Sequence, residues 1–274
     1  MDPFLPWPGS KAKCAQEIVS EFPRTCKTYR EPFLGSGAVY FALNGKLGFL
    51  KVDFEDAALS DVNEKLIGCW QAVRDKPEEV IALLERHLAK NSEEYYGQMR
   101  RCMWSPAAFI YVMRAAFSSM YRENLKGEFN VPWRKQDFEK NNRKIAYKTS
   151  QITECSRYMA KRPTGLTARD WIGAVGDTRE GDLVYFDPPY LPYSETGFTD
   201  YSSSGFGAGD HVMLSNACKR LQARGATVVL SNSDTEASRR IYGPPTRVLS
   251  VANAVNAKAT IKGKRAEGLW IYRP

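Results

Sequence analysis

Tyr29-Arg30-Glu31-Pro32-Phe33-Leu34-Gly35-Ser36-Gly37 is the stretch on which the fold turns. A short strand is expected over 29–34, a Gly-x-Gly follows it, and residues 38–43 continue with helical apolar spacing. The unit reads as strand, glycine turn, helix. Glycines at such a turn let a ligand approach the backbone, as at the first βα turn of a doubly wound sheet. Taken alone, a Gly-x-Gly is also an ordinary tight turn. It is not a phosphate cradle: Gly-x-x-x-x-Gly-Lys is absent, and Gly9-Ser10-Lys11 lacks the first glycine at the required spacing.

The same grammar repeats downstream. A strand over 57–60 stops at Asp61 in Leu59-Ser60-Asp61-Val62-Asn63, and a helix over 64–74 follows with Leu66, Ile67, Trp70 and Val73 on one face. An acid at a strand's carboxyl end can accept hydrogen bonds from ribose hydroxyls, or it can cap the next helix. The place of Asp61, one strand after the glycine turn, favours the first. Upstream, residues 3–11 are too rich in proline for regular structure, and a helix over 13–21 is expected.

From 77 to 162 the pattern turns helical, clearest over 78–88 and 107–120, with a polar segment through Asn141-Asn142-Arg143. No strand alternation is visible until Asp182. Then come strands over 183–186, 227–230 and 269–272, with a helix over 211–224 between the first two. The expected fold is therefore α/β, a Rossmann-like doubly wound sheet in two sequence pieces, 1–76 and 163–274, around a mostly helical insert, 77–162.

The chain has 274 residues, 43% hydrophobic and 12% aromatic, which is ample for a core and excludes wholesale disorder or a fibrous repeat. No stretch approaches a membrane span, and residues 1–10 lack the basic start and apolar run of a signal peptide, so a cytoplasmic, membrane-free protein is expected. Six scattered cysteines form no CxxC pair and read as buried free thiols. With only His87 and His211 present, no metal site is expected.

Net charge is +8, and residues 90–169 hold 16 Lys and Arg against 7 acids, together with twelve aromatics. Basic charge mixed with stackable rings suits a nucleic acid. A solvated basic face over an ordinary aromatic core accounts for composition equally well.

Asp187-Pro188-Pro189-Tyr190 follows the apolar run Leu183-Val184-Tyr185-Phe186 directly and is the most specific feature. Two prolines fix φ and remove two N–H donors, which leaves the Asp187 carboxylate and the Pro188 carbonyl as rigid acceptors beside the Tyr190 ring. Two acceptors around an exocyclic NH2 orient its lone pair towards a cationic methyl donor and stabilise charge developing on nitrogen.

With this motif the chain resembles the Dam-type (D12 class, DPPY) DNA adenine N6-methyltransferases. Residues 4–11, 31–41 and 59–67 are similar to the family's N-terminal, cofactor-loop and acid motifs. Phe198-Thr199-Asp200-Tyr201 and Leu230-Ser231-Asn232-Ser233 are similar to its later segments. The resemblance implies S-adenosylmethionine as cofactor, lined by Trp7, Lys11, Glu31, Phe33, Gly35, Gly37, Asp61, Asp170 and Trp171. It implies catalysis at Asp187, Pro188, Pro189 and Tyr190 on an adenine flipped out of double-stranded DNA. Segments 114–117, 120–124 and 127–132 look like the family's DNA-recognition hairpin. Arg114, Phe117, Met120, Arg122, Asn124, Asn130 and Pro132 are then the DNA-contacting residues, with Arg122 on a guanine edge. GATC readers of the family usually carry Lys before the N-terminal Trp, where this chain has Pro6. Pro132-Trp133-Arg134 likewise replaces the common Pro-Phe-Gly. The expected target is GATC or a related short site, and the expected state a monomer or weak dimer. Methylation of another planar amine, such as RNA adenine or a glutamine amide, and a non-catalytic DNA-binding protein are the competing classes.

Overall fold

The computed structural model describes residues 1–45, 51–135, 149–191, 205–251 and 265–274. Among the described residues seven strands form one sheet: β1 (Thr25–Glu31), β2 (Asp53–Asp61), β3 (Thr164–Ala168), β4 (Leu183–Phe186), β5 (Thr227–Ser233), β6 (Arg247–Val251) and β7 (Arg265–Tyr272). Their spatial order is β3-β2-β1-β4-β5-β7-β6. Neighbours from β3 to β5 pair in parallel, and β7 runs antiparallel to both β5 and β6. The order reverses between β1 and β4, where open α/β sheets bind ligands beyond the strands' carboxyl ends. Because β7 is antiparallel, its first residues lie at that same end, with Glu267 opposite Ser233 of β5.

The helices are α1 (Ala15–Val19), α2 (Ala38–Ala42), α3 (Glu64–Asp75), α4 (Pro77–Ala89), α5 (Glu93–Met99), α6 (Pro106–Ala115), α7 (Thr149–Met159), α8 (Trp171–Ala174), α9 (Ala208–Ala223) and α10 (Glu236–Tyr242). They cover both faces of the sheet. Along β4, Leu183 and Tyr185 face one core and Val184 and Phe186 the other, the two-residue period of a strand buried on both sides. The larger core joins Tyr29, Tyr40 and Trp70 to Phe109, Ile110 and Ile152 of α6 and α7. The helices after α3 therefore pack into the same apolar mass as the sheet. The second core packs α9 and α10 onto β4 and β5.

Several sequence expectations move. β1 covers Thr25–Glu31 rather than 29–34, because Pro32 cannot donate to a ladder and ends it, while the polar start Thr25-Cys26-Lys27-Thr28 belongs to it. β2 begins four residues earlier than expected: its acidic start still pairs with β1, Asp53 opposite Thr25. β3 breaks the expectation of no strand before 182. As an edge strand, Thr164-Gly165-Leu166-Thr167-Ala168 buries only alternate residues, too few to show as an apolar run. β6 was also unforeseen, and β5 and β7 extend beyond the 227–230 and 269–272 runs. The helix expected over 107–120 ends at Ala115, and Ser118 and Ser119 take positive φ values of 52° and 50° as the chain leaves for a hairpin. All six cysteines are free, but Cys102 is exposed and Cys26 only partly buried, against the expectation of burial. Among the described residues no helix is long and apolar enough to cross a membrane, and no group of three or more His, Cys, Asp or Glu is placed to hold a metal. The polar 141–143 segment and Phe198-Thr199-Asp200-Tyr201 lie outside the described residues.

Candidate active site

The glycine turn is built by three contacts. The Leu34 amide donates to the Ser60 carbonyl at 2.9 Å, the Gly35 amide to Asp61 Oδ2 at 3.0 Å, and Trp70 Nε1 to the Gly35 carbonyl at 3.2 Å. Gly35 and Gly37 adopt φ of 48° and 63°, a region open to glycine at little cost. Asp61 is not the helix cap; Asn63 is, accepting from the Leu66 amide at 2.9 Å. That leaves the Asp61 carboxylate to brace the turn through Gly35 and to take the Asn63 amide at 3.0 Å. Burial raises its pKa, and the amides of Asn63 and Gly35 oppose the rise. Beside it, Arg169 donates its amide to the Asp61 carbonyl at 3.1 Å, which places the start of α8 next to the acid. Asp170 caps that helix, accepting from the Gly173 amide at 2.7 Å, and Trp171 meets Phe186 edge-on at 6.1 Å. Phe33 reaches the same Phe186 ring at 6.3 Å, so Phe33 and Trp171 flank it. The N-terminal segment closes over the turn: Ser10 Oγ and Ser36 Oγ lie 2.8 Å apart, and Trp7 stands directly above Gly35.

Across the switch point, Asp187 follows the last residue of β4. Its Oδ1 accepts from Ser231 Oγ at 3.0 Å, and its Oδ2 is paired with Lys11 Nζ at 2.7 Å. Lys11 was expected at the cofactor; the structure turns it onto the Asp-Pro-Pro-Tyr motif, with its ammonium 4.6 Å from the centre of the Tyr190 ring. Burial works against the charge on Lys11, yet Asp187 and Glu267 together raise its pKa. Tyr190 donates to Glu267 Oε1 at 2.8 Å. Glu31, at the end of β1, is 3% exposed and accepts from the Tyr29 hydroxyl at 2.8 Å. Burial pushes its pKa up to about 8, with Tyr29 opposing and Asp187 adding to the rise. His211 is buried under the motif against the Pro189 carbonyl and Tyr242, and burial lowers its pKa to about 4. Ser231, Glu267 and His211 carried no role in the sequence reading. Ser231 stood in a quoted segment, whereas Glu267 sits in the half of β7 that apolar spacing does not reveal.

Residues 116–133 form the expected hairpin, bridged at Ala116 to Trp133 and at Glu123 to Phe129. Asn124 shapes its tip, its Oδ1 accepting from the amides of Lys126 and Glu128 at 2.9 and 3.0 Å. Arg122 is exposed and held by Asn130 Oδ1 at 2.7 Å; Phe117 and Met120 are 52% and 41% exposed. Arg114 differs from the other six residues expected at DNA. It is partly buried, and its guanidinium ties the Phe4 carbonyl at 2.6 Å and Gln151 at 3.4 Å. Tyr121 packs on Trp7 at 5.0 Å and donates to Glu123, which pairs with Lys65 of α3 at 2.8 Å, so the hairpin is fastened to the glycine turn's side of the sheet.

A sheet of this order, a glycine turn facing an acid and an Asp-Pro-Pro-Tyr at the switch point agree with comparison to known families. The model of D12 class N6 adenine-specific DNA methyltransferases matches residues 7–256. This chain belongs to that family. Among its relatives, the type II methyltransferase M1.LlaDCHI of Lactococcus lactis subsp. cremoris is 33% identical over 97% of this chain and 93% of its own length. A DNA adenine methylase of Vibrio cholerae is 30% identical over 99% of this chain and 96% of its own. The type II methyltransferase M.MjaIII of Methanocaldococcus jannaschii is 32% identical over 84% of each chain. The present chain is thus an adenine-specific DNA methyltransferase, its substrate is DNA, and its family implies S-adenosylmethionine as methyl donor.

Proposed function

We propose that this enzyme transfers a methyl group to N6 of an adenine flipped out of duplex DNA, at GATC or a related short site. The observation that carries this reading is the Asp187 carboxylate, fixed by Ser231 at a strand end, with a single ammonium, that of Lys11, touching both it and the Tyr190 ring. The residues at the glycine turn fit S-adenosylmethionine. Among the described residues Ser60 Oγ is buried there without a hydrogen-bond partner, and a side chain at Gly35 would fill the cradle against Trp7. Trp7, Glu31, Phe33, Gly35, Asp61, Asp170 and Trp171 would hold it. When bound, S-adenosylmethionine supplies an electrophilic methyl group. The protein's part is to stack the target ring on Tyr190 and to accept an amine N–H at Asp187, so that the nitrogen lone pair faces the methyl. The same carboxylate stabilises the positive charge that develops on nitrogen until the methylated amine releases one of its two protons. Flipping costs a few kcal/mol, part of which stacking returns. Pro188 and Pro189 keep Asp187 and Tyr190 in one geometry.

We further infer that residues 77–162 supply target recognition, with Arg122 on a guanine and Phe117 and Met120 at the base stack. The proposed setting is a cytoplasmic monomer or weak dimer. The test is expression in a methylation-free host followed by sequencing for modified adenines. N6-methyladenine at a short defined site is the expected result. Its absence, with soluble protein that binds S-adenosylmethionine, overturns the reading and moves the search to RNA.

A further inference from the structure

Lys11 occupies the two features that the proposed reading assigns to the target base. Its ammonium lies 2.7 Å from Asp187 Oδ2 and 4.6 Å from the centre of the Tyr190 ring. An adenine whose amine donates to Asp187 while its ring stacks on Tyr190 cannot share that space with the ammonium. Lys11 must therefore leave before the base is seated. It is 8% exposed, and a buried ammonium separated from its counter-ion is costly unless another anion receives it.

Glu267 is the anion in place. It projects from the first residues of β7, opposite Ser233, and is 8% exposed. One of its oxygens already holds the Tyr190 hydroxyl at 2.8 Å. It lies close enough to Lys11 for each to alter the other's ionisation: burial raises the Glu267 pKa and Lys11 opposes the rise, while Asp187 and Glu267 both favour the Lys11 charge.

We infer that Glu267 is a positioning residue of this site: it holds the Tyr190 ring by its hydroxyl and takes over the Lys11 ammonium when a target amine replaces Lys11 at Asp187. Lys11 stays protonated throughout, so the exchange moves a hydrogen-bond partner and no proton. The inference rests on the proposed reading of Asp187 and Tyr190 as contacts of the base. It goes beyond that reading in assigning a function to β7 and in making Lys11 a place-holder.

The test uses Glu267→Gln and Glu267→Asp in the full chain. Glutamine keeps an acceptor for the Tyr190 hydroxyl and removes the charge that receives Lys11; aspartate keeps the charge. Two quantities are measured on a duplex carrying the site found by genome sequencing: the single-turnover methylation rate with adenine, and the ratio of affinities for adenine and for purine, which lacks the 6-amino group, at the target position. Glu267→Gln is expected to lower the rate on the order of tenfold, the size typical of losing a supporting partner, and to bring the adenine-to-purine ratio towards one. Cofactor affinity should not change and the melting temperature should not fall, and Glu267→Asp should recover most of both losses. A Glu267→Gln enzyme with wild-type rate and ratio overturns the inference, as does an equal fall in both variants. Wild-type protein that methylates no DNA adenine sinks the proposed function instead, so the two failures are separable.

Discussion

Gly35 and Gly37 sit two residues apart in one turn, both with left-handed backbone, yet a methyl group added to each meets a different neighbour. At Gly37 it would lie 2.3 Å from Trp70 Cη2 and 2.6 Å from Cζ2. Trp70 has nowhere to go. It is fully buried, stacked on Phe41 at 5.3 Å, edge-on to Phe4 at 5.0 Å, and hydrogen-bonded to the Gly35 carbonyl. Placing a non-glycine residue in the left-handed region costs about 1–2 kcal/mol and overpacking a fixed core about 1–3 kcal/mol. Gly37→Ala should therefore destabilise by roughly 2–5 kcal/mol, a large share of the roughly 5–15 kcal/mol that holds a typical domain. At Gly35 the clash is 2.7 Å with Trp7 Cδ1, and Trp7 is only half-buried, leaning on Tyr121 and Phe109 rather than enclosed like Trp70. Gly35→Ala should cost only the backbone strain, about 1–2 kcal/mol, but should displace Trp7 and weaken S-adenosylmethionine binding. Urea unfolding and calorimetric titration with S-adenosylmethionine separate the two. A Gly37→Ala protein within about 0.5 kcal/mol of wild type, the usual span for an inconsequential surface change, would refute the packing argument. So would Gly35→Ala as the more destabilising variant.

Asp187→Ala should abolish turnover while leaving the fold and most DNA affinity intact, since the basic excess of the chain lies in residues 90–169 and not at this motif; methyl transfer together with a gel-shift assay checks this, and retained turnover contradicts the assigned role. Arg122→Ala should relax or lose base choice at one position, at about 1–3 kcal/mol for a bidentate contact, and unchanged preference at every position of the site rules out the assignment. Glu31 titrates near 8 in the folded chain against an ordinary value of 4.5, because burial disfavours its charge. With the folded pKa raised, its contribution to stability is fully present below about pH 4.5 and lost as pH rises through about 8. Glu31→Gln should therefore gain stability relative to wild type across that window, with the two converging at acid pH. A difference in unfolding free energy that does not vary with pH contradicts the shift.

Much of the sheet and its turns was legible because their signals are local. A strand, a glycine turn and an acid at the next strand's end follow from residue type and spacing, and Asp187-Pro188-Pro189-Tyr190 carries its rigidity in its own prolines. The central strands β4 and β5 were readable because burial on both faces demands apolar runs. The edge strands β3 and β6 were not, because half their surface is free of that demand. The hairpin at 116–133 was read as recognition sequence, but the end of α6 at Ala115 was not, because no glycine or proline marks it: the break exists so that Phe117 can pair its amide with the Pro132 carbonyl at 2.9 Å.

By itself, then, the sequence determined the class of fold, the order of its parts and the chemical character of each motif, all of which depend on neighbours along the chain. Only the tertiary structure decided which motifs act together. Asn63 rather than Asp61 caps α3, which frees the acid to brace the glycine turn. Arg114 is tied to the N-terminal segment, and Lys11 is carried from the expected cofactor wall to Asp187. Glu267 reaches Tyr190 across 77 residues of chain only because β7 inserts antiparallel beside β5. Charges and hydrogen bonds act through space, so a partner brought by sheet topology leaves no trace in spacing along the chain.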